Sequence, residues 1–412
     1  MTDDIQISDL DNDTLITLEI MDPSSNPVVS IIVPARNEEA CLSACLESLV
    51  AQTGILYEII AVDDASTDST AEIARSFSQH HVGAALQARP AVTVISAPPL
   101  PANWTGKNNA MAAGAKVAKG KWLLFTDADT VHKPGSLARA LAEAEQHAAS
   151  LLSYSPEQEV RGFWEKAVMP VIFAELAATY PPQAVNDPGS PIAAANGQYL
   201  LISREAYDSV GGHTKIANDL LEDVATARLV KCSGRKIFFR YGGDAVRTRM
   251  YRSFAQMKEG WTKNLALLFK HPLALALLRL AEFALILANL VTAILASLSG
   301  RSTLAFQTTL LTIILAGWFW IRIRKAHFPR GSNIIALLGL PVFSYLLFNS
   351  ARLSGKNRVT WKGRSYGRNT EKCDSIRQDH ASKSNESTLD IAATAHRRTS
   401  SEARLALSDP QS

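Results

Sequence analysis

Charge is scarce in this chain. Only 20% of its 412 residues are Asp, Glu, Lys or Arg, against about 25% in an ordinary soluble domain. The two signs nearly cancel, 42 basic against 39 acidic residues for a net +3. No basic field is available for nucleic acid, so no nucleic-acid partner is expected. Cysteine is equally sparse: Cys41, Cys45, Cys232 and Cys373. Four in a chain of this length give neither a disulfide scaffold nor a zinc site. No Gly-x-Gly-x-x-Gly follows the first apolar run, and no Gly-x-x-x-x-Gly-Lys-Ser/Thr occurs. These absences disfavour a dinucleotide-dependent oxidoreductase and a P-loop phosphate site. The first 22 residues hold seven acids and no Lys or Arg. A secretory signal needs a basic start and an apolar centre, so residues 1–27 read instead as a solvated acidic arm.

Apolar residues make up 47% of the chain, and they cluster. Residues 283–300, 304–321 and 333–350 carry no charge at all. Each run is long enough for about 27 Å of helix at about 1.5 Å per residue, close to the roughly 30 Å hydrocarbon core of a bilayer. Three in succession, joined by short basic loops, read as a membrane region over 266–351. From Thr370 the chain is Ser-, Arg- and Asp-rich without periodicity, so 352–412 reads as a basic segment followed by a disordered tail.

Residues 28–265 read as a doubly wound α/β domain. Strands are expected at 28–33, 58–62, 92–96 and 122–126, and helices at 39–51, 107–119 and 137–147. Ser66 or Thr67 is expected to cap a further helix running to Phe77. The alternation predicts a mostly parallel sheet with helices on both faces. Ligands of such sheets bind outside the carboxyl ends of the strands, where the polar motifs fall.

Asp127-Ala128-Asp129 leaves an apolar strand. Two carboxylates one residue apart can face a cleft and hold Mg²⁺ or Mn²⁺ together with phosphate oxygens. The competing reading is a pair of turn acids, given Pro134 and Gly135 downstream. Asp63-Asp64 also leaves a strand, either opening a helix or accepting hydrogen bonds from a base or ribose. Glu222-Asp223 precedes an amphipathic stretch. An acid pair there complements the helix dipole, or supplies a general base. His213, after Gly211-Gly212, is a turn histidine or an acceptor-side group.

In order, VSIIVPARNEE, AVDDASTDST, WLLFTDADT, GGH and LLEDVATARLVKCSG resemble the family 2 glycosyltransferases over about residues 28–265. Residues 101–107 (PANWTGK), 196–198 (NGQ), 211–213 (GGH), 257–264 (MKEGWTKN) and 359–366 (VTWKGRSY) are similar to membrane-bound members that glycosylate lipids. These are the hopanoid-associated, carotenoid-acid and ceramide glucosyltransferase-like groups. The N-terminal apolar run found in some of them does not stand before Val28.

The resemblance implies a GT-A fold, an inverting transfer, a nucleotide-diphosphate sugar donor of the UDP type and a membrane lipid acceptor resembling a hopanoid, carotenoid or sphingolipid. It implies that Pro34, Arg36, Glu38, Asp63 and Asp64 hold the nucleoside, with Lys107 near the phosphates. Asp127 and Asp129 would hold the sugar-nucleotide and its Mg²⁺ or Mn²⁺, with Asp223 as the base. On the acceptor side it implies Glu222 and His213, and also Gln256 and Trp261, a loose version of a Gln-x-x-Arg-Trp segment without its Arg. That departure disfavours processive polymerisation.

Arg301 alone lies between the first two apolar runs, whereas Arg322, Arg324, Lys325 and Arg330 lie between the second and third. Basic loops stay in the cytoplasm. The catalytic domain is therefore expected inside, in a multi-pass bacterial-type inner-membrane protein. A simple third crossing would put the tail outside, against Arg352, Lys356, Arg358, Lys362, Arg364 and Arg368. Pro341 marks a kinked or re-entrant alternative. Arg279 and Glu282, three apart, are placed to pair on one helix face. The rival reading is a transporter or scaffold with a nucleotide-binding cytosolic domain. The near absence of intramembrane charge disfavours an ion pathway.

Overall fold

The structure is a computed structural model and describes residues 26–79, 90–354, 359–361 and 364–366, the last two segments for their backbone only. The expected acidic arm and polar tail lie almost wholly outside the described residues. The chain runs β1 (Val29–Ala35), α1 (Leu42–Val50), β2 (Tyr57–Asp63), α2 (Thr70–Gln79), β3 (Val92–Ser96), α3 (Gly106–Val117) and β4 (Trp122–Phe125). Then come β5 (Thr130–His132), α4 (Ser136–Gln146), β6 (Leu151–Ser155), β7 (Glu157–Gln158), α5 (Phe163–Thr179) and α6 (Pro182–Asn186). After these follow β8 (Leu200–Ser203), α7 (Arg204–Ser209), α8 (Gly212–Lys215), α9 (Glu222–Cys232), β9 (Ile237–Tyr241) and β10 (Val246–Thr248). Next are α10 (Phe254–Leu268), α11 (Pro272–Leu298), α12 (Ser302–Ile323), α13 (Arg330–Ile335), α14 (Gly339–Ser354), β11 (Val359–Trp361) and β12 (Arg364–Tyr366).

The main sheet has the order β3-β2-β1-β4-β8-β6-β9. Only β8 runs against the others. Strands β1, β2 and β4 are apolar runs buried on both faces, as a parallel sheet covered by helices requires. Leu42, Cys45, Leu46 and Leu49 of α1 are fully buried against one face, and Ala110 and Met111 of α3 pack on the other. Each of those leucines contributes about 1.5–3 kcal/mol by leaving water. In register, Ala35 faces Asp63, Ile32 faces Phe125, and Asp63 faces Ser96. The motifs after β1, β2 and β4 therefore emerge along one edge.

A second, small sheet, β5-β10-β7, lies beside the exit of β4. Helix α2 begins later than the sequence reading. Asp68, rather than Ser66 or Thr67, receives the Thr70 amide at 3.0 Å, because its carboxylate also accepts the Thr70 hydroxyl.

A third core joins α5 and α10 to α11, α12 and α14, with Met257, Trp261, Leu265, Phe319, Phe343 and Leu347 buried in it. Three helices are long and apolar enough to cross a membrane, but they differ. In their most apolar windows 11% and 6% of residues are buried for the first two, against 44% for the third. Helices α11 and α12 expose Leu277, Leu298, Ile313 and Trp318. The third apolar run is broken, as Pro341 hinted: α13 and α14 are separated by a short 3-10 turn.

The apolar helix pair α11–α12 is tied to the α/β domain by four charges. Arg279 of α11 meets Glu175 of α5 at 2.9 Å and Glu282 at 3.0 Å. Arg322 of α12 meets Glu282 at 2.8 Å and Glu175 at 3.3 Å. The expected Arg279–Glu282 pair is thus half of a closed alternating ring. Glu175 is buried, so each carboxylate has two cations to offset its desolvation.

Candidate active site

The loops after β1 and β2 are stitched together. Arg36 Nη1 donates to the Asp64 carbonyl at 2.6 Å and to the Ala65 carbonyl at 3.2 Å. The Asn37 amide donates to Ser66 Oγ, and Asn37 Oδ1 accepts the Thr67 amide. The Glu38 amide donates to Thr70 Oγ1 at 2.7 Å, and the Asp64 amide extends the ladder to the Ala35 carbonyl. Asn37 and Ala65 hold left-handed φ of 53° and 54°, a conformation that costs an L residue roughly 1–2 kcal/mol. Pro34 lies within β1 opposite Val62. Asp63 Oδ1 accepts the Ser66 amide. Asp63 also lines a cavity of about 260 Å³ with Arg75, Ser78, Val94, Ile95 and Ser96.

A second constellation forms where α3 and α9 begin. Thr105 caps α3 by accepting the Asn108 amide at 3.1 Å. The Thr105 amide donates to the Ala217 carbonyl, and Asn108 Nδ2 to those of Ile216 and Asp219. These bonds bring the segment entering α9 against the start of α3. Lys107, one residue into α3, bridges two acids: Asp127 Oδ1 at 2.7 Å and Glu222 Oε1 at 2.6 Å. The strand end carrying Asp127 and the helix start carrying Glu222-Asp223 are joined through this one ammonium group.

The neighbouring acids of α9 have opposite environments. Burial pushes the Glu222 carboxyl up, but the charge of Lys107 and its hydrogen bond outweigh this and hold it below its usual value. Asp223 is pushed up to about 6, first by burial and then by the charge of Glu222, with Lys107 and two backbone amides pulling the other way. Those amides are Gly197 at 2.9 Å to Oδ2 and Val224 at 2.7 Å to Oδ1. Burial lowers Lys107, yet Asp127 and Glu222 raise it well above its ordinary value.

The sequence reading gave no role to Gly197 or Lys263. A side chain at Gly197 would meet Glu222 Oε1 and Lys107 Nζ, each at 3.1 Å. Lys263 of α10 stands within electrostatic reach of Glu222, Asp127 and Asp223, and burial pulls its pKa down. Both lie in segments quoted for the resemblance, but spacing alone assigns neither to this cluster.

Asp129 is half-buried near Cys41, Cys45 and Tyr251, whose pKa values are raised first by burial and further by its charge. Its carbonyl accepts Thr248 Oγ1 from β10, and the Asp127 carbonyl accepts Thr130 Oγ1. The small sheet thus fixes the turn that carries both acids. No group of three or more His, Cys, Asp or Glu placed to hold a metal occurs among the described residues. A cation between Asp127 and Asp129 would therefore take further oxygens from a diphosphate, a hard donor set suited to Mg²⁺ or Mn²⁺.

Three side chains expected on the acceptor side are engaged in packing or capping. His213 is buried, with Nδ1 2.9 Å from the Tyr207 hydroxyl and its ring edge-on to Phe125 at 4.7 Å. Burial, then the charge of Lys107, lowers its pKa to about 3, so it is a neutral core histidine. Gln256 is exposed at the start of α10, where Ser253 caps its amide and its Oε1 accepts the Arg252 amide. Trp261 is 3% exposed and packs between Phe173 and Tyr251 with Nε1 toward Met169 Sδ. Capping and packing account for these two side chains.

Residues 30–211 match the family model described as Glycosyl transferase family 2. Over those residues the chain carries a family 2 glycosyltransferase domain. It is 27% identical over 250 residues, 59% of its length, to the 4,4'-diaponeurosporenoate glycosyltransferase of Staphylococcus aureus strain USA300, and 28% identical to that of strain MRSA252. The match spans 62% of the length of these curated relatives. Among solved structures it is similar to a mannosyltransferase from Pyrobaculum calidifontis in complex with GDP-Man and Mn²⁺. There the identity is 16%, coverage is 81% of this chain and 88% of the other, and the TM-score is 0.47. It is also similar to glucosyl-3-phosphoglycerate synthase from Mycobacterium tuberculosis, at 19% identity, 59% and 78% coverage and a TM-score of 0.38.

Proposed function

We propose that the protein is a membrane-bound inverting glycosyltransferase that moves one sugar from a nucleotide-diphosphate sugar, of the UDP type, to a membrane lipid. The observation that carries this reading is the Lys107 bridge between Asp127 and Glu222, with Asp223 beside it pushed up to about 6. The relatives named for glycosylation of 4,4'-diaponeurosporenoate support a lipid acceptor. The three apolar helices support a membrane location, and the basic loop after α12 supports a cytoplasmic catalytic domain in an inner membrane.

The nucleoside lies along the stitched loops after β1 and β2, with the cavity beside Asp63 open to the base. Asp127 and Asp129 would hold a divalent cation together with the diphosphate, and that ion would supply positive charge to offset the negative charge of the departing group. Lys107 adds a positive charge at the same strand end. Asp223 receives the proton of the acceptor hydroxyl on a carboxylate oxygen as that hydroxyl attacks the anomeric carbon. Glu222, paired with Lys107, stays ionised and raises the basicity of Asp223 through like-charge repulsion. A single displacement inverts the anomeric centre, so no protein nucleophile takes part.

The test is transfer of radiolabel from candidate nucleotide sugars to extracted membrane lipids by the detergent-solubilised full chain. Label in the lipid phase is expected, dependent on Asp223 and Asp129. Absence of both lipid labelling and donor hydrolysis across uridine and guanosine donors overturns the proposal.

A further inference from the structure

Helix α14 does not lie as a third crossing would. At its start, a side chain on Gly339 would collide with the Ala167 carbonyl of α5. At its end, Ser350 Oγ accepts the Ala266 amide of α10 at 2.8 Å, and Asn349 reaches Thr262 at 3.2 Å. Its 16 residues span about 24 Å, and both ends touch helices that precede the anchor. The turn after α12 also returns to the catalytic domain, where the His327 ring stacks on Tyr241 of β9 at 4.1 Å. So α11 leaves this side, α12 comes back to it, and α14 stays.

What α14 leaves exposed joins other aromatic surface. Its face at Leu340, Phe343, Leu346 and Leu347 is fully buried, while Tyr345 and Phe348 are 47% and 58% exposed. The Lys258 ammonium of α10 sits over the Tyr345 ring at 5.4 Å. One turn back on α10 is Phe254, whose ring lies 5.1 Å from Trp164 of α5. Trp164 is 44% exposed and meets Phe163, 51% exposed, at 5.2 Å. Three separate elements thus build one strip: Phe163, Trp164, Phe254, Lys258, Tyr345 and Phe348.

Aromatic rings interleaved with a long basic side chain are the chemistry of the headgroup layer, where rings bury their edges and the ammonium stays wet. Because α14 packs along α11, the strip stands beside the crossing pair. Its other end reaches the nucleotide loops, since Arg252, two residues before Phe254, donates to the Ala40 carbonyl at 3.0 Å.

We propose that the protein crosses the bilayer twice, through α11 and α12, and that this strip seats the catalytic domain on the headgroup layer of the same leaflet. Helix α14 then does not cross: it stays against α5 and α10, and the chain beyond it remains on the catalytic side. This removes the topological conflict posed by the basic residues at 352–368. It also gives a lipid acceptor a route from the bilayer surface past α10 to the β1 loop. The inference rests on the membrane-bound reading above but not on its chemistry.

Two measurements on the full chain test it. In vesicles of phosphatidylethanolamine and phosphatidylglycerol brominated near the headgroup end of the acyl chains, Trp164→Phe should lower the fraction of tryptophan emission that is quenched. An unchanged or larger quenched fraction would place Trp164 in water and overturn the docking surface. A reporter fused after Ser412 should be active on the same side as one fused before Val28. Opposite sides would mean an odd number of crossings and overturn the two-span arrangement. Donor hydrolysis measured on the same preparations separates the cases: if it persists while either arm fails, the docking inference falls and the transferase stands.

Discussion

Asp223→Asn is the sharpest probe of the site. In the folded chain the carboxylate takes the Gly197 amide on Oδ2 at 2.9 Å and the Val224 amide on Oδ1 at 2.7 Å. The carboxamide keeps the shape but has one acceptor oxygen, so one of those amides faces an NH₂ group. An unmade bond of this kind costs roughly 1–3 kcal/mol of stability. Losing the base costs about 10²–10⁴-fold in transfer, or about 3–5 kcal/mol of transition-state stabilisation. Donor binding should stay nearly intact, because the carboxylate touches backbone amides rather than the Lys107 bridge. The pH profile supplies the second half of the test. A base must be unprotonated, so wild-type transfer should rise with pH through about 6, the value to which burial and Glu222 push Asp223. Glu222→Gln removes the like charge and should move that limb to lower pH. Initial rates of label transfer between pH 5 and 8, with melting curves on the same samples, read both effects. A folded Asp223→Asn enzyme at full rate would refute the general-base assignment, as would a wild-type profile flat through pH 6.

Lys107→Met strands the buried Glu222 carboxylate. It should destabilise by about 1–3 kcal/mol, less than the roughly 3–5 kcal/mol for a fully buried pair because Lys107 is one-third open. Adding Glu222→Gln should recover part of that loss in a double-mutant cycle, and strict additivity would argue against the bridge. Asp129→Asn should fold normally, lose transfer and donor hydrolysis, and no longer respond to added Mn²⁺. Full activity of this variant in excess chelator would remove the metal assignment. Gly197→Ala places a methyl 3.1 Å from both Lys107 Nζ and Glu222 Oε1 and should cost about 1–3 kcal/mol. An unchanged melting temperature would contradict the packing described. His132 and His213 are both lowered to about 3, with burial the first cause in each. Unfolded histidines take up protons near pH 6.5, so these two should make the fold lose stability as pH drops below that value. The slope is about 1.4 kcal/mol per pH unit for each, and replacing either by Gln should flatten it in urea titrations.

Most of the catalytic sheet was legible because buried parallel strands are short apolar runs, and the strand at 92–96 falls where expected. The strand-end acids followed from that, since the topology sends ligands to one edge. The small sheet was not legible. Its strands are two or three residues long, too short for any periodicity, and each pairing joins segments far apart in the chain, such as Arg247 with Glu157. The burial of His213 was not legible because Gly211-Gly212 looks like an exposed turn, whereas α8 tucks the ring against Phe125. That Gln256 is exposed and Trp261 buried was not legible either, because motif spacing carries no information about which helix face turns inward. Composition found three apolar helices, and Pro341 marked the third as different, but its burial against α5 and α10 is visible only in the structure.

The division of labour between Glu222 and Asp223 follows from what stands beside each. They are chain neighbours in the first turn of α9, where the dipole favours both as anions. Burial raises both. Lys107 then reaches Glu222 at 2.6 Å and reverses the shift there, while Asp223 takes two amides and stays raised by burial and the charge of Glu222 against the pull of Lys107. The paired acid becomes a fixed negative charge, and the unpaired acid sits near the pH at which a base works best. Exchanging the pair, Glu222→Asp with Asp223→Glu, shortens one side chain and lengthens the other. The shorter acid can no longer span the distance to Lys107, and the longer one overshoots the Gly197 amide. Both charge assignments should then collapse together, with transfer lost and the Lys107–Asp127 pair left to hold the strand end alone. If the exchanged enzyme kept wild-type rate and pH profile, position in the helix rather than the Lys107 bridge would decide which acid acts.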